Sequence, residues 1–219
     1  MWFQNKLDAF KARFESGAAP HFLPREAAAT MQRSVDELTA RGLPERALKA
    51  GDLAPAFTLA DTNGFQLSSA SLLERGPLVV MFYRGVWCPY CSLELQALQD
   101  LLPQVQQRGA TLVAISPQMA GSSLKAKDQN HLTFPVLLDP GNRTADAFGI
   151  RWRQQDYLID LYKTVFETDL AEVNGDDSWT LPMPSRFVIG RDNRLRHAAV
   201  SIDHTRRPDP EELLAALEG

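Results

Sequence analysis

Cysteine is scarce in this sequence of 219 residues, which contains only Cys88 and Cys91. Two cysteines exclude the dense disulfide framework of small secreted domains. A long uninterrupted apolar stretch is also missing, so the sequence does not predict a membrane span. The first residues carry charges, on Lys6 and Asp8, where a secretory signal has its apolar centre. We therefore expect a soluble protein of the cytoplasm.

An excess of positive charge is missing as well. The formal net charge is −4, and Arg206-Arg207 is the only pair of adjacent Lys or Arg residues. Proteins that bind nucleic acid display a concentrated basic patch, so a nucleic-acid partner is not expected. The apolar fraction of 44% is ordinary. A chain of this length can therefore form one substantial domain with an extension, or two small domains.

Two amphipathic helices are predicted before the composition changes at Gly51. The first covers residues 1–16 and gathers aromatic side chains on one face, the second covers 25–40, and a short helical piece at 45–49 follows. We interpret residues 1–50 as an N-terminal helical extension. The aromatic face packs either on the protein's own domain or on a second subunit, and both interpretations stay open. The second would produce a homodimer through the N-terminal helices.

Apolar runs alternate with helical spacing in the middle of the chain. Strands are predicted at 78–82, 111–116 and 134–138, with helices between them. This order is typical of a parallel sheet with crossover helices. A closing antiparallel hairpin from 186–189 and 195–201 makes the predicted sheet mixed. The other predicted elements are a hairpin within 54–67, helices at 69–74 and 143–148, a helical insertion at 157–170 and a C-terminal helix at 209–217.

The two cysteines stand where the strand at 78–82 turns into a helix. A helix N-terminus presents unpaired N–H groups and the positive end of the dipole, and both stabilise a thiolate. Cysteines three residues apart in a helix share a face. A disulfide between them closes too small a loop to stabilise the fold much. The C-x-x-C spacing therefore predicts a redox-active pair, at the sheet edge where open α/β proteins place their chemistry.

Three other interpretations of the cysteine pair compete with this one. A zinc site would need two more ligands, and the four histidines lack the paired spacing of such sites, so no metal is predicted. Inert buried thiols fit poorly with a loop-helix junction that contains Trp87, Pro89 and Tyr90. A purely structural disulfide is disfavoured by the small loop. No cofactor is predicted beyond the two sulfurs.

Three motifs connect the sequence with a known family. They are Gly-Asp-x-Ala-Pro-x-Phe-x-Leu at 51–59, Phe-Tyr-Arg-Gly-Val-Trp-Cys-Pro-Tyr-Cys at 82–91 and Phe-Val-Ile at 187–189. With them, the chain from Gly51 onward resembles the peroxiredoxins of the alkyl hydroperoxide reductase/thiol-specific antioxidant family. The resemblance implies an α/β protein with a thioredoxin-like fold, in which helices flank a central mixed sheet. Residues 51–219 would then form a peroxiredoxin-like domain after the N-terminal extension.

The resemblance assigns the cysteines in two ways. Alignment with a peroxiredoxin makes Cys91 the peroxidatic cysteine, whereas the Trp-Cys-x-x-Cys of a thioredoxin makes Cys88 the attacking thiol, and both assignments stay open. Pro184 stands where a peroxiredoxin has its arginine, and it resembles the cis-proline that faces the disulfide in thioredoxins. Arg84 and Arg186 are therefore the candidate cations for the thiolate. The residues expected at the substrate are Tyr83, Trp87, Pro89 and Pro184.

Two enzymatic functions follow from the resemblance. The first is a thiol-dependent peroxide reductase, an antioxidant enzyme that cycles through a Cys88–Cys91 disulfide and is reduced by a thioredoxin- or glutaredoxin-type donor. The second is a thioredoxin-like thiol–disulfide oxidoreductase that acts on protein disulfides. A third interpretation is a binding protein that uses the fold as an interaction surface and docks through its N-terminal helices.

Overall fold

A computed structural model describes residues 2–16 and 23–218, so the predictions for residues 1, 17–22 and 219 lie outside it. The helices are α1 (Trp2–Glu15), α2 (Arg25–Ala40), α3 (Ser69–Arg75), α4 (Pro89–Gln107), α5 (Ala120–Gln129), α6 (Arg143–Ala147), α7 (Asp156–Thr164), α8 (Leu170–Asn174) and α9 (Glu212–Ala215). The strands are β1 (Thr58–Ala60), β2 (Gln66–Ser68), β3 (Leu78–Phe82), β4 (Thr111–Ser116), β5 (Val136–Leu138), β6 (Arg151–Arg153), β7 (Thr180–Pro182), β8 (Ser185–Ile189) and β9 (Leu195–Val200). Each helix in these ranges is too short or too polar to cross a lipid bilayer.

A five-stranded mixed sheet forms the centre of the molecule, in the order β5-β4-β3-β8-β9. Strands β3, β4 and β5 run parallel, and β8 and β9 run antiparallel to their neighbours. Strands β3 and β4 have the predicted bounds, and the predicted mixed sheet is confirmed. Phe82 at the carboxyl end of β3 pairs with Ile115 on one side and Ser185 on the other. The chain that leaves β3 therefore starts at the middle of the sheet edge.

Alternate residues of β3 face two different cores. Val80 and Phe82 pack in the first core, Val79 and Met81 pack in the second, and all four are fully buried. A strand covered on both faces needs apolar residues at every position. This explains why the sequence shows a continuous apolar run here instead of an alternating one.

Helix α1 packs on the second core, which also holds α4. Phe3 and Leu7 are fully buried there, and the ring of Phe10 meets that of Tyr90 edge to face at 5.2 Å. The interpretation in which the aromatic face packs on its own domain is therefore confirmed for these side chains. Trp2 is 48% exposed. A homodimer through the N-terminal helices stays a prediction, as does the domain division at residue 50.

The predicted hairpin after Gly51 is confirmed, with a shorter first strand. Strand β1 begins at Thr58 and pairs antiparallel with β2, with Thr58 opposite Ser68. Gly64 in the turn has φ +88°, a conformation that glycine adopts without the strain of a side chain. The Asn-Gly signal therefore identified the turn correctly.

The helical insertion differs from its prediction. Helix α7 ends at Thr164, and α8 begins only at Leu170, where the Asp169 carboxylate accepts a hydrogen bond from the N–H of Ala171. The insertion lies between β6 and β7, an antiparallel pair that sequence reasoning missed. Strands of three residues are too short to show the alternation that separates a strand from a loop.

Two further predicted helices are shorter in the structure. Instead of a helical piece at 45–49 there is a 3-10 turn at Pro44–Arg46, because Ala47 has an extended backbone with φ −63° and ψ 142°. The C-terminal helix covers Glu212–Ala215 and not 209–217. Proline at position 210 disfavours a helical backbone at the residue before it, which delays the start of this helix.

Candidate active site

The turn from β3 into α4 places both cysteines at the start of a helix. Cys88 immediately precedes Pro89, the first helical residue. Proline suits this position because its missing N–H would have no partner inside the helix. The backbone carbonyl of Cys88 accepts hydrogen bonds from the N–H groups of Cys91 at 3.0 Å and Ser92 at 3.2 Å. The two sulfurs therefore lie in the field of the helix N-terminus.

Each cysteine has its own arginine. Both thiols are free and buried, with Cys88 2% exposed and Cys91 0% exposed. The Nη1 atom of Arg84 lies 3.8 Å from Cys88 Sγ, and the Nη2 atom of Arg207 lies 3.9 Å from Cys91 Sγ. Both arginines are buried, so solvent ions screen their charges little. This arrangement stabilises negative charge on sulfur.

Arg84 is held by two aromatic side chains. Its guanidinium carbon lies 4.8 Å from the centre of the Trp87 ring, and its Nη2 donates a hydrogen bond to the Tyr162 hydroxyl. The two rings meet edge to face at 5.3 Å. The close approach depends on Gly85, because a Cβ there would lie 2.3 Å from Trp87 Nε1. The glycine and tryptophan of the motif thus fix the arginine beside Cys88.

Arg207 is held by a buried carboxylate on α4. Glu94 lies one helical turn after Cys91, and its Oε2 accepts a hydrogen bond from Nε of Arg207. Its Oε1 lies 3.3 Å from Nε of Arg186, whose other nitrogens donate to two backbone carbonyls of the C-terminal segment. The structure therefore places Arg186 against Glu94, although the prediction had it at a thiolate. The second arginine at the sulfurs is Arg207.

A cavity of about 890 Å³ reaches Cys88. The N-terminal helices form one wall through apolar side chains that include Phe10, Phe14 and Met31. Arg84 lines the cavity beside the sulfur. Apolar walls with a few convergent polar groups are typical of a small-molecule site.

The residues predicted at the substrate fall into three groups. Trp87 and Pro89 line the cavity. Pro184 lies in a smaller neighbouring space whose lining it shares with Arg84. Tyr83 is fully buried in the second core, and its hydroxyl accepts a hydrogen bond from a core side chain at 3.4 Å. Tyr83 lines neither of the two cavities, because its side chain packs in this core.

The two thiols differ strongly in pKa. Burial disfavours the Cys88 thiolate, but the hydrogen bond from Cys91 and the charges of Arg84 and Arg207 outweigh burial and lower the pKa of Cys88 to about 5. Burial raises the pKa of Cys91 well above its usual value, and its hydrogen bond to Cys88 and the negative charge there add to the rise. At neutral pH the pair therefore holds one proton, on Cys91.

This difference predicts the pH dependence of alkylation. The rate at which iodoacetamide labels Cys88 should rise through a midpoint near the pKa of about 5 and stay nearly flat above pH 7. A lowered pKa means that the reactive thiolate is lost only as the pH falls through this value, whereas an ordinary thiol titrates near about 8.5. Peptide mapping by mass spectrometry measures the two cysteines separately. A Cys88 midpoint above pH 8 would contradict the assignment.

The described residues offer no group of three or more His, Cys, Asp or Glu side chains suited to a metal ion. The sulfurs are instead surrounded by arginine side chains, whose positive charges oppose a metal cation. The site therefore suits thiolate chemistry better than metal binding.

Sequence reasoning missed three residues of this site. The sequence singled out Arg207 only as a member of the adjacent pair Arg206-Arg207, with no sign of a role at the cysteines. Glu94 had a usable signal, because it follows Cys91 by three residues and so shares its helix face. Tyr162 follows Arg84 by 78 residues and carries no local signal.

The fold and the motifs have relatives among known proteins. Residues 50–198 match the model of the AhpC/TSA family. A Mycobacterium tuberculosis protein that carries the name peroxiredoxin is 34% identical over 128 residues, which are 58% of this chain and 81% of that protein. Peroxiredoxin Bcp of Escherichia coli is 26% identical over 115 residues, 52% of this chain and 72% of that protein.

Two further comparisons complete the assignment. The thiol-disulfide oxidoreductase ResA of Bacillus anthracis is 26% identical over 126 residues, 57% of this chain and 72% of that protein. The crystal structure of peroxidoxin BcpB from Mycobacterium tuberculosis has a TM-score of 0.61 at 23% identity, covers 78% of this chain and 97% of that chain, and confirms the predicted fold. Because the residues matched by the family model make up more than half of the sequence, the chain belongs to the AhpC/TSA family.

Proposed function

We propose that this protein is a thiol-dependent peroxide reductase in which Cys88 attacks the peroxide. Membership of the AhpC/TSA family makes it an oxidoreductase, and the relatives named peroxiredoxin support a peroxide as the oxidant. The observation that carries the proposal is the Cys88 sulfur itself. It borders a cavity, lies 3.8 Å from the buried guanidinium of Arg84 and has a pKa of about 5.

In the first step the Cys88 thiolate attacks the terminal oxygen of the hydroperoxide. The S–O bond forms as the O–O bond breaks, so the sulfur becomes a sulfenic acid and the peroxide is reduced to an alcohol or water. The leaving oxygen carries negative charge until it takes up a proton. Arg84 is already fixed beside the sulfur, so it can stabilise this charge without rearranging.

In the second step Cys91 condenses with the sulfenic acid of Cys88 to form a disulfide and water. One helical turn separates the two residues, so they can reach each other without refolding. A thioredoxin- or glutaredoxin-type donor then reduces the disulfide by thiol exchange. A cytoplasmic location is part of this proposal, because thiols are kept reduced there.

The choice of Cys88 as the attacking cysteine follows the thioredoxin-like assignment of the motif. The peroxiredoxin alignment favours Cys91, but that thiol is fully buried and keeps its proton at neutral pH. Cys88 borders the cavity and is ionised. Because the thiolate and not the thiol is the nucleophile, these observations support attack by Cys88 and resolution by Cys91.

The shape of the site supports a small peroxide over a protein disulfide as substrate. Cys88 is only 2% exposed, and the side chains of α1 and α2 wall the cavity on one side. A hydroperoxide can enter such a cavity, and an organic group on it would contact Phe10, Phe14 and Phe166. A hydroperoxide can enter the cavity whole, whereas any folded protein, the reductant included, has to bring its own sulfur to the entrance.

A thioredoxin-like thiol–disulfide oxidoreductase is the second candidate. The lowered pKa of Cys88 within Trp-Cys-x-x-Cys favours it, as does the similarity to a relative named thiol-disulfide oxidoreductase. Pro184 would then contact the substrate beside the disulfide, since it lies near Arg84. Both candidate functions use the sulfurs of Cys88 and Cys91. They differ in the molecule that reacts with the pair, which is a peroxide in the first and a protein disulfide in the second.

Two assays distinguish the candidates: peroxide reduction coupled to thioredoxin, thioredoxin reductase and NADPH, and insulin reduction with dithiothreitol in the absence of thioredoxin. The proposal predicts rapid NADPH oxidation with hydrogen peroxide or cumene hydroperoxide and slow reduction of insulin disulfides, because the sulfurs lie inside a cavity. The matched control is the double variant Cys88→Ser/Cys91→Ser, which should not raise the rate above the background without the protein in either assay. Insulin reduction that outpaces peroxide consumption would reject the peroxide reductase in favour of the second candidate.

A further inference from the structure

The guanidinium of Arg207 contacts the cysteine that the first step does not use. Arg207 lies in the segment after β9, beyond the residues 50–198 that match the family model. Its Nη2 lies 3.9 Å from Cys91 Sγ. The other nitrogens donate hydrogen bonds to Glu94 and, at 3.0 Å, to the carbonyl of His204. The cation is therefore buried, fixed in position and directed at one sulfur.

We propose that Arg207 is a catalytic residue of the second step, in which it stabilises the Cys91 thiolate that attacks oxidised Cys88. The proposal rests on the peroxide reduction proposed above and divides the work between two arginines. Arg84 serves the attack by Cys88, and Arg207 serves the attack by Cys91. Glu94 is a positioning residue, because it holds the guanidinium of Arg207 against the sulfur.

The charges around Cys91 change when Cys88 is oxidised. The groups that interact with the Cys91 sulfur are Cys88, Arg84, Arg207, Tyr83 and Tyr162. Burial raises the pKa of Cys91 most. The hydrogen bond to the Cys88 thiolate and the negative charge of that thiolate raise it further. A sulfenic acid is neutral, so oxidation removes this negative charge and leaves the two arginines in place. Cys91 therefore becomes easier to ionise when its thiolate is needed.

The second step needs no outside reactant. Cys91 loses its proton, and its thiolate attacks the sulfur of the Cys88 sulfenic acid. The S–S bond forms as the S–O bond breaks, and the departing hydroxide takes up the proton released by Cys91 to give water. The sulfenic sulfur is reduced and the Cys91 sulfur is oxidised, so the electrons balance within the pair.

Rapid mixing of the reduced full-length protein with one equivalent of hydrogen peroxide separates the two steps. Dimedone trapping with mass spectrometry measures the sulfenic acid, and the loss of free thiols measures disulfide formation. Arg207→Met removes the charge and keeps the apolar stem. Arg206→Met is the matched control, because its neighbouring side chain is 67% exposed and pairs only with Asp203 among the described ion pairs.

We expect Arg207→Met to slow disulfide formation at pH 7 by about tenfold or more, which corresponds to a rise of at least one pKa unit at Cys91. The sulfenic acid should accumulate, and the midpoint pH of this step should move upward. Arg207→Lys should recover part of the rate. Oxidation of Cys88 should slow less than disulfide formation, because Arg84 stays 3.8 Å from Cys88 Sγ in this variant.

Equal rates of disulfide formation in wild type and Arg207→Met would overturn the role of Arg207. A wild type whose two thiols are not oxidised by hydrogen peroxide would instead overturn the proposed peroxide reduction. If circular dichroism shows that Arg207→Met does not fold, the pH profile of the wild type decides the question. Disulfide formation should then titrate below the value of about 8.5 of an ordinary thiol, and a midpoint at or above it would reject the proposal.

Discussion

Replacing Cys88 with serine is expected to lower peroxide turnover by about 10³-fold or more. The variant lacks the ionised sulfur that attacks the peroxide. A serine hydroxyl at that position keeps its proton and is a weak nucleophile. Enzymes that lose their nucleophile typically lose activity by at least this factor. The NADPH-coupled rate of the purified variant at pH 7 measures the effect. The same substitution at Cys91, three residues later, is the matched comparison.

The Cys91→Ser variant should still be oxidised once by peroxide. Its hydroxyl can donate the hydrogen bond that the Cys91 thiol gives to Cys88, so the nucleophile keeps much of its stabilisation. Turnover should then stop at the sulfenic acid and resume only with an excess of a small thiol such as dithiothreitol. A Cys91→Ser variant that never forms a sulfenic acid, beside an active Cys88→Ser variant, would restore the peroxiredoxin-like assignment.

Arg84→Met should have the second largest effect, a loss of about 10²-fold in the rate at which peroxide oxidises Cys88. Removing one fixed hydrogen-bond donor to a developing negative charge typically lowers the rate of an enzyme by about this factor. Arg84 also lowers the pKa of Cys88, so the alkylation midpoint of the variant should move to higher pH. The loss of free thiols after rapid mixing with hydrogen peroxide measures the oxidation step in wild type and variant alike.

Arg75→Met is a suitable control for this experiment, since Arg75 is an exposed residue at the end of α3. It should leave both the oxidation rate and the alkylation midpoint unchanged. Arg84→Lys should keep part of the rate, because a lysine supplies charge but not the planar guanidinium that stacks on Trp87 and donates to the Tyr162 hydroxyl. An Arg84→Met variant with wild-type oxidation and an unchanged midpoint would remove Arg84 from the mechanism.

The parts of this site that depend on neighbouring residues were predictable from the sequence. The apolar run of β3 and the helical spacing after it placed both cysteines at a strand–helix junction, and the structure has them there. The same is true of the hairpin with Gly64 and of the closing pair β8 and β9. These features are set by periodicity and turn chemistry, which act over a few residues.

The parts that depend on distant segments were not predictable. Arg207 reaches Cys91 across 116 residues of sequence and Tyr162 reaches Arg84 across 78, and no local pattern records such contacts. For Arg186 the sequence predicted a contact with a thiolate, and the structure places the side chain against Glu94 instead. Its strand register placed it near the site, but the buried carboxylate of Glu94 competes for its guanidinium. Which arginine meets a sulfur is therefore decided by pairing in the core, not by sequence position.

Helices α1 and α2 form one wall of the cavity, so oxidation by a peroxide and reduction by a protein donor require different amounts of space. An oxidant a few atoms across has only to diffuse in, whereas a protein reductant must bring its own sulfur into line with a disulfide at Cys88, which is 2% exposed. Exchange at a disulfide depends on access as well as on thiol acidity. We therefore expect the shape of this entrance to discriminate among electron donors, and the N-terminal helices to affect regeneration more than oxidation.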